Sequence, residues 1–563
     1  MKVSRVSVWD AVPLLGQLRR SSMRSVRGDA VAGFAVAVTL VPQGLGYGQL
    51  AGLSPVAGLY TAVGAMVVFS LVTSTRLMAV GASSTLAIMT FTAVTPRAEG
   101  DAGRAASLAA CLALMTGALL LLPGLRGLIN LLSAPVALGY LAGTAVEIMA
   151  SQAGKLVGVK TDSDHPMVRV WEVLTHLDQI QWVTAMVGVV SLLALVLLKP
   201  VFHAVPVLRA VPVTPVVCVV AVAVSAAADL AAHGVAVIGR ISGGLPAPGW
   251  PEVTSEDVWA LLPAAAGMAV IGSIEGTAAL RRVALPSGTK ISLIRETVAA
   301  GAASAGAGAL GGFAAMPSTQ RTLSARGAGA HSQLFQLVCA GFVVGCILTT
   351  GPVIALLPVT VLAAVVMVSA SHLIDVAGFQ QLWQGWRRES GLALVTMASV
   401  LVLGVLYGLL LAVVLALMQL LRRVAWPHDA VLAVTDDGRP PHEVAPDQAV
   451  GSDVLMYRVD APLFFANANR ISQRILTLAA ARTPYPRYVV LDAGAVFYLD
   501  ATAAETLAQL AVGLKERDCQ LVVARPREQV LATLRANPYQ DGVTQQLPVF
   551  PTVREAYAAL RER

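Results

Sequence analysis

The stretch from Gly311 to Ala330, GGFAAMPSTQRTLSARGAGA, sets the guanidinium of Arg321 close behind Pro317, Ser318, Thr319 and Gln320, in a region otherwise made of apolar and small residues. A second stretch, LMAVGASSTLAIM, carries Gly81, Ala82, Ser83, Ser84 and Thr85. Both read as helix starts, with Ser or Thr as capping residues and, in the first, Pro317 near the opening turn. A helix start leaves backbone N–H groups unpaired and carries partial positive charge. Two such starts aimed at one point, with a guanidinium beside them, form a receptor for an anion. The competing reading of Arg321 is a side chain that braces neighbouring backbone or reaches for an interface.

Acidic residues are the second class. Glu275 sits in AGMAVIGSIEGTAALRR, where a carboxylate has no apolar excuse. Carboxyls at membrane depth point to ion or proton traffic, so Glu275 is the candidate for coupling to H+ or Na+, against a structural pairing with Arg281 or Arg282. Glu147 reads as packing against a polar neighbour, and Glu296, beside Arg295, as an interfacial cap or ion pair. Tyr47, Tyr60 and Phe91 are candidate pocket walls and equally candidate core residues.

The elements that must position these groups are membrane spans. Of 563 residues, 56% are hydrophobic and 13% charged, with a mean hydropathy of +0.70, whereas a soluble domain carries about 25% charge. Apolar stretches near the roughly 20 residues needed to cross about 30 Å of hydrocarbon recur from Ala30 to Leu421. The net charge of +7 is not gathered into a basic stripe with aromatics, which argues against a nucleic-acid partner. Its basic residues flank spans instead: Lys2, Arg5, Arg19, Arg20, Arg24 and Arg27 before the first, Arg387, Arg388, Arg422 and Arg423 around the last. By the positive-inside rule both termini face the cytoplasm, in a bacterial-type inner (plasma) membrane. No cleavable signal is apparent, so the first span is the targeting signal. The five cysteines form no CxxC pair and read as packing residues; no cofactor, metal centre or catalytic residue is expected.

Apolar runs fall into about seven segments before the loop Ser242 to Asp257 and about seven after it. In the first half, Gly and Pro interrupt Val41 to Tyr60, and Leu77 to Met89 follows. In the second half the corresponding stretches are Ile271 to Arg282 and Met316 to Gly327. The offsets are about 37 residues from Gly44 to Gly81 and about 41 from Gly276 to Pro317. This spacing predicts an internal repeat, inverted if each copy has an odd number of spans. After Trp426 a connector runs to residue 453. There VLMYRVD, YVVLDAG and QLVVARP read as strands, and ANRISQRILTLAAA and TAAETLAQLAVGLKERD as amphipathic helices, giving a small α/β domain with no phosphate loop.

These strings resemble the SulP (sulfate permease) family of anion transporters. VPQGLGYGQLAGLSPVAGLYTAVGAMVVFSLVTSTRLMAVG is similar to its first spans. RETVAAGAASAGAGALGGFAAMPSTQRTLSARGAGA is similar to its second-half signature. YRVDAPLFFANANRI and VVLDAGAVFYLDATAAETL are similar to its C-terminal STAS domain. The resemblance implies an α-helical polytopic membrane protein of about 14 spans in a 7+7 inverted repeat, with core and gate domains moving as an elevator, and a homodimer. The expected organisation is a cytoplasmic segment 1–29, a transmembrane domain 30–425 with repeats of about 30–240 and 255–425, a connector 426–453 that begins the STAS region, and a STAS domain 454–563.

The resemblance also places the anion between the starts of the third and tenth spans, at Gly81, Ala82, Ser83, Ser84, Thr85, Pro317, Ser318, Thr319, Gln320 and Arg321, with Gln43 and Tyr47 nearby. The coupling acid is matched by Glu275, and a Na+ ion would lie near Glu275, Ala279, Ser318 and Thr319. The chain departs from the family pattern at Ala82, where proline is frequent, and at Gln320, where serine is usual. Ala503 stands where a STAS glycine is expected, and only Ala501 and Thr502 lie near the position of the serine phosphorylated in related bacterial regulators. The expectation is a secondary active transporter of a sulfate-, bicarbonate- or dicarboxylate-like anion, with a cytoplasmic protein as STAS partner. The alternatives are an anion exchanger or channel, a nucleobase-type permease, and an anion-responsive sensor.

Overall fold

The computed structural model describes residues 13–19, 21–122, 133–161, 163, 166–205, 211–239, 244, 249–283, 292–434, 440–445, 453–536 and 539–562. The chain divides into two compact units, Met1–Ala416 and Leu417–Arg563.

The first unit is built of apolar helices. Before the loop that precedes Ser255 come α1 Met23–Leu50, α2 Ala57–Val72, strand β1 Val80–Ala82 leading into α3 Ser84–Ala98, α4 Ala102–Leu121, α5 Ala134–Val157, α6 Trp182–Ala204 and α7 Val213–Ala227. After it come α8 Ser255–Val283, α9 Leu293–Ala309, strand β2 Ala315–Pro317 leading into α10 Thr319–Gly327, α11 Leu334–Thr349 and α12 Val359–Ser371. The helical stretch Arg387–Ala425 completes the set and is interrupted at Gly404, with φ 81° and ψ 169°. Only glycine adopts such a conformation freely. A side-chain carbon on Gly408 would lie 2.5 Å from the Val400 Cα, a contact that a straight helix forbids between residues two turns apart. The chain therefore reverses into two arms, α13 (387–403) and α14 (405–425). The architecture is α-helical and polytopic, as expected.

The expected break in Val41 to Tyr60 falls at residues 51–56, between α1 and α2, whereas the one expected in Ile271 to Arg282 is absent. α1 runs through Pro42 to Leu50, and α8 runs through Gly272 and Gly276 to Val283. In α8 the glycines serve close approach. A side-chain carbon on Gly272 would collide with the Met316 side chain, and one on Gly276 would touch Pro317 at 3.6 Å. The other expected breaks are at β1–α3 and β2–α10. α9 meets α2 and α4 through small residues as well: a side-chain carbon on Gly64 would lie 2.3 Å from the Gly306 carbonyl, and one on Gly117 2.6 Å from that of Gly301. Without a hydrophobic driving force between helices in lipid, such backbone contact is how spans gain packing energy.

The second unit is an α/β domain around a six-stranded sheet of order β4-β3-β5-β6-β7-β8. Its elements are β3 Asp429–Ala433, β4 His442–Val444, β5 Val454–Val459, α15 Ala468–Ala480, β6 Tyr488–Asp492, α16 Ala501–Lys515, β7 Gln520–Ala524, α17 Glu528–Ala536, β8 Val549–Phe550 and α18 Val553–Arg561. β5 to β8 are parallel, while β3 pairs antiparallel with β4 and β5. Alternation along β5 sends Leu455, Tyr457 and Val459 to the face packed on α15 and α16, and Val454 and Met456 to the face packed on α18. The near-continuous hydrophobicity of a parallel strand follows from burial on both sides. The stretch expected as a connector contains β3 and β4, so it belongs to the sheet.

Candidate functional site

The third and tenth segments meet through their strands. β1 pairs antiparallel with β2 in the register Val80↔Pro317, Gly81↔Met316 and Ala82↔Ala315. The chain thus enters α3 and α10 from opposite directions. Extended backbone at this depth must find partners inside the protein, and polar side chains supply them. Gln336 on α11 accepts from the Val80 N–H at 2.9 Å and donates to the Met78 carbonyl at 3.0 Å. Gln333 donates to the Thr75 and Met78 carbonyls. Thr322 accepts from the Ala79 N–H at 3.0 Å, and the Ser318 N–H donates to the Ala79 carbonyl at 2.9 Å. On the β2 side, Ser304 donates to the Ala315 carbonyl at 2.6 Å and accepts from its N–H, and Thr61 accepts from the Phe313 N–H. None of these supporting residues stood out in the sequence, because a Gln, Ser or Thr within an apolar run carries no periodicity signal.

Arg321 lies in the first turn of α10 and is buried. Its Nη1 donates to the Ala82 carbonyl at 2.8 Å, across the strand pair at the entrance of α3. Its guanidinium lies against Gly81, 3.5 Å from where a side-chain carbon there would sit. Nε has no hydrogen-bond partner. Arg321 thus braces backbone and at the same time keeps a donor free.

The two capping serines do different work. Ser318 caps α10 by accepting from the Arg321 N–H at 3.4 Å. Pro317 ends β2 and directly precedes that cap, next to the first helical turn. Ser83 stands at the cap of α3 but makes no capping bond; its hydroxyl donates to Glu275 Oε2 at 3.4 Å. Glu275 reaches the site from α8 and faces the Thr85 hydroxyl on α3 as well as Ser83; its Oε1 and that hydroxyl are buried and lack a partner at full hydrogen-bond geometry. Buried polar atoms in native proteins are nearly always hydrogen-bonded, so the free Arg321 donor and the loosely paired Glu275 carboxyl and Thr85 hydroxyl mark a site that accepts something.

Tyr47, buried on α1, presents its hydroxyl to Ser84 and to Ser369 on α12, within the fields of Arg321 and Glu275. Ser369 is a neighbour that the sequence did not flag. Ser84 and Ala82 are buried, Thr319 is half-buried, and Gln320 is exposed on α10. Gln43 lies one turn before Tyr47 on α1 and is half-buried, and Ala279 is buried one turn beyond Glu275 on α8.

Other candidates are placed elsewhere. Tyr60 donates to the Gly244 carbonyl at 2.8 Å, and the Phe91 ring lies under the Arg169 guanidinium at 5.4 Å; each has a structural partner. Glu296 is buried and accepts from Thr73, from Ser74 at 2.6 and 2.9 Å, and from the Thr75 N–H. From the first turn of α9 it ties down the turn that leads to β1. The side chains of Arg281 and Arg282, the alternative partners of Glu275, lie outside the described residues.

Comparison with known proteins identifies the family. Residues 26–418 match the sulfate permease family and residues 445–556 the STAS domain. A probable sulfate transporter of Mycobacterium tuberculosis strain H37Rv is 35% identical over 556 residues, covering 98% of each chain. The chloroplastic sulfate transporter 4.1 of Arabidopsis thaliana is 26% identical over 527 residues, covering 90% of this chain and 76% of its own. Among solved structures, the murine solute carrier 26 member A9 anion transporter in its inward-facing state superposes with a TM-score of 0.88 at 20% identity, covering 100% of this chain and 96% of its own. The transmembrane domain of a cyanobacterial bicarbonate transporter superposes with a TM-score of 0.59 at 20% identity, covering 70% of this chain and 98% of its own. The likeness to the solved structures is one of fold. The paired breaks, the buried arginine and the two matched domains lead to one assignment: this chain belongs to the sulfate permease family of transporters and carries a C-terminal STAS domain.

Proposed function

We propose that this protein is a secondary active transporter of a small oxyanion of the sulfate class, which binds between the starts of α3 and α10 beside Arg321. The observation that carries this reading is the free Nε of a buried guanidinium at the crossing of two interrupted segments. Backbone N–H groups at the two helix starts and a cation beside them make charge-assisted hydrogen bonds to an anion. Gly81, Ala82, Ser83, Ser84 and Thr85 line one side, Pro317, Ser318 and Thr319 the other, and Tyr47 and Gln43 complete the wall. Sulfate is chosen over bicarbonate or a dicarboxylate because the relatives it matches are named sulfate transporters.

Glu275 supplies the coupling. A carboxylate and a divalent anion repel each other strongly in a medium of low dielectric, so they occupy neighbouring positions only when a cation or proton neutralises the carboxyl. The open Oε1 of Glu275 is the acceptor for that H+ or Na+, with Ser318, Thr319 and the backbone at Ala279 as the remaining oxygen donors for a Na+. Anion and cation then bind together, which is symport by linkage. The helical segments divide into a core that carries the site and a gate against which it moves, as an elevator in a homodimer. Both termini and the STAS domain face the cytoplasm of a bacterial-type inner membrane, and the STAS domain receives a cytoplasmic protein partner.

The test is uptake of radiolabelled sulfate into proteoliposomes under imposed H+ or Na+ gradients. Gradient-driven uptake is expected from the parent protein. It should be lost in Arg321→Ala and uncoupled from the gradient in Glu275→Gln. Both variants transporting like the parent would overturn the assignment.

A further inference from the structure

Glu147, on α5, is a second carboxyl buried in the membrane unit, and the transport reading above leaves it without a task. It is 2% exposed, and its Oε2 has no hydrogen-bond partner. Its other oxygen is aimed at the turn between α13 and α14. Oε1 lies 3.8 Å from where a side chain on Gly404 would begin, and the Val405 backbone N–H donates to the carboxyl. That N–H opens α14 and is free of a helical partner because the left-handed Gly404 ends the preceding arm.

The titratable groups facing Glu147 are few. Tyr140, two turns earlier on α5, is buried beside Thr144 with its hydroxyl 3.6 Å from the Met89 sulfur, and it lies in the fields of both Glu147 and Glu275. The α13–α14 turn offers backbone alone, and among the described residues no basic side chain pairs with Glu147. A bare carboxylate with one N–H donor and no cation is an expensive occupant of a membrane interior. A carboxylic acid in the same place has only one O–H to satisfy. A sodium ion would require several oxygen ligands, and the group facing the carboxyl is a donor that repels a cation.

We propose that Glu147 is a second proton-carrying carboxyl of this protein, seated against the α13–α14 turn. The proton is held while the turn packs on α5 and is released when the turn withdraws and water reaches the carboxyl. Its role in the transport cycle rests on the transport reading above, whereas the presence of the proton does not.

Two measurements on the full-length protein in liposomes test this separately. The first is labelling by dicyclohexylcarbodiimide, which adds to protonated carboxyls in apolar surroundings and leaves a stable N-acylurea, read by mass spectrometry of the α5 peptide. Label on Glu147 should be strong at neutral pH, where an exposed carboxyl is ionised, and should fall as the pH is made alkaline. It should be indifferent to Na+ and absent from Glu147→Gln. Absence of label at every pH, label independent of pH, or label blocked by Na+ would each overturn the proposal. The second is the pH profile of sulfate uptake. Glu147→Gln, a near-isostere of the protonated acid, should flatten it, and Glu147→Asp should restore a slope. A parental profile in Glu147→Gln overturns the cycle role. Failure of the parent protein to take up any anion overturns the transport reading instead and leaves the labelling result standing.

Discussion

At the scale of single residues, Arg321 is a brace and, in the proposed function, also the ligand of the anion. Nη1 holds the Ala82 carbonyl, and Nε remains for the anion. Arg321→Lys keeps the charge but not the planar fork, so it is expected to retain the fold and lose roughly 1.5–3 kcal/mol of anion affinity, the worth of a charged hydrogen bond. Thermal-shift titration with sulfate measures this. At about 100 times Kd the parent gains about 2.7 kcal/mol of stability, and the variant at the same concentration should gain clearly less. Cys519, in the second unit, gives a pH-dependent prediction. Burial pushes its thiol from 9.0 up to about 11, so the folded domain binds that proton more tightly than the unfolded chain. The contribution is complete below about pH 9 and is lost as pH rises through about 11, amounting to at most about 2.7 kcal/mol at about 1.36 kcal/mol per unit. Denaturant unfolding of the STAS transition at increasing pH should show this alkaline loss, and Cys519→Ala should reduce it.

At the scale of elements, the interrupted segments persist because others complete their hydrogen bonds. Ser304 serves both backbone groups of Ala315, and Gln336 serves Val80 and Met78. Ser304→Ala leaves a buried N–H and C=O in β2 without partners, at an expected cost of about 1–3 kcal/mol for each orphan group. A lowered melting temperature with weakened sulfate stabilisation is the expected result. Gln336→Leu, similar in size but without hydrogen-bonding atoms, should do the same through β1. Gly404→Ala places a side chain where φ is 81° and is expected to cost about 1–3 kcal/mol.

At the scale of the whole molecule, each unit has its own hydrophobic core. Calorimetry of the full chain should show two unfolding transitions, with sulfate moving only that of the membrane unit, since a ligand stabilises only the part whose folded state binds it. A sulfate-dependent shift confined to the STAS transition would contradict the placement of the anion beside Arg321.

Much of this was legible in the order of residues. Apolar runs of span length specify membrane helices because hydrocarbon leaves the backbone no other partner. An arginine and an acid amid such runs, Arg321 and Glu275, announce themselves because a charge there must have a use or a partner. Other features were decided only in three dimensions. Pro42, Gly272 and Gly276 look like breaks yet lie inside continuous helices, because what a glycine or proline does depends on the neighbour it meets: Met316 and Pro317 need the room that Gly272 and Gly276 leave. β3 and β4, hidden in a polar connector, exist because β5 offers an edge to pair with. The strand pairing Gly81↔Met316, the Ser83 hydroxyl turned to Glu275, and the support from Gln333, Gln336, Thr322 and Ser304 join residues distant in sequence. Periodicity cannot report such contacts, because each is chosen by which groups the folded chain leaves unpaired.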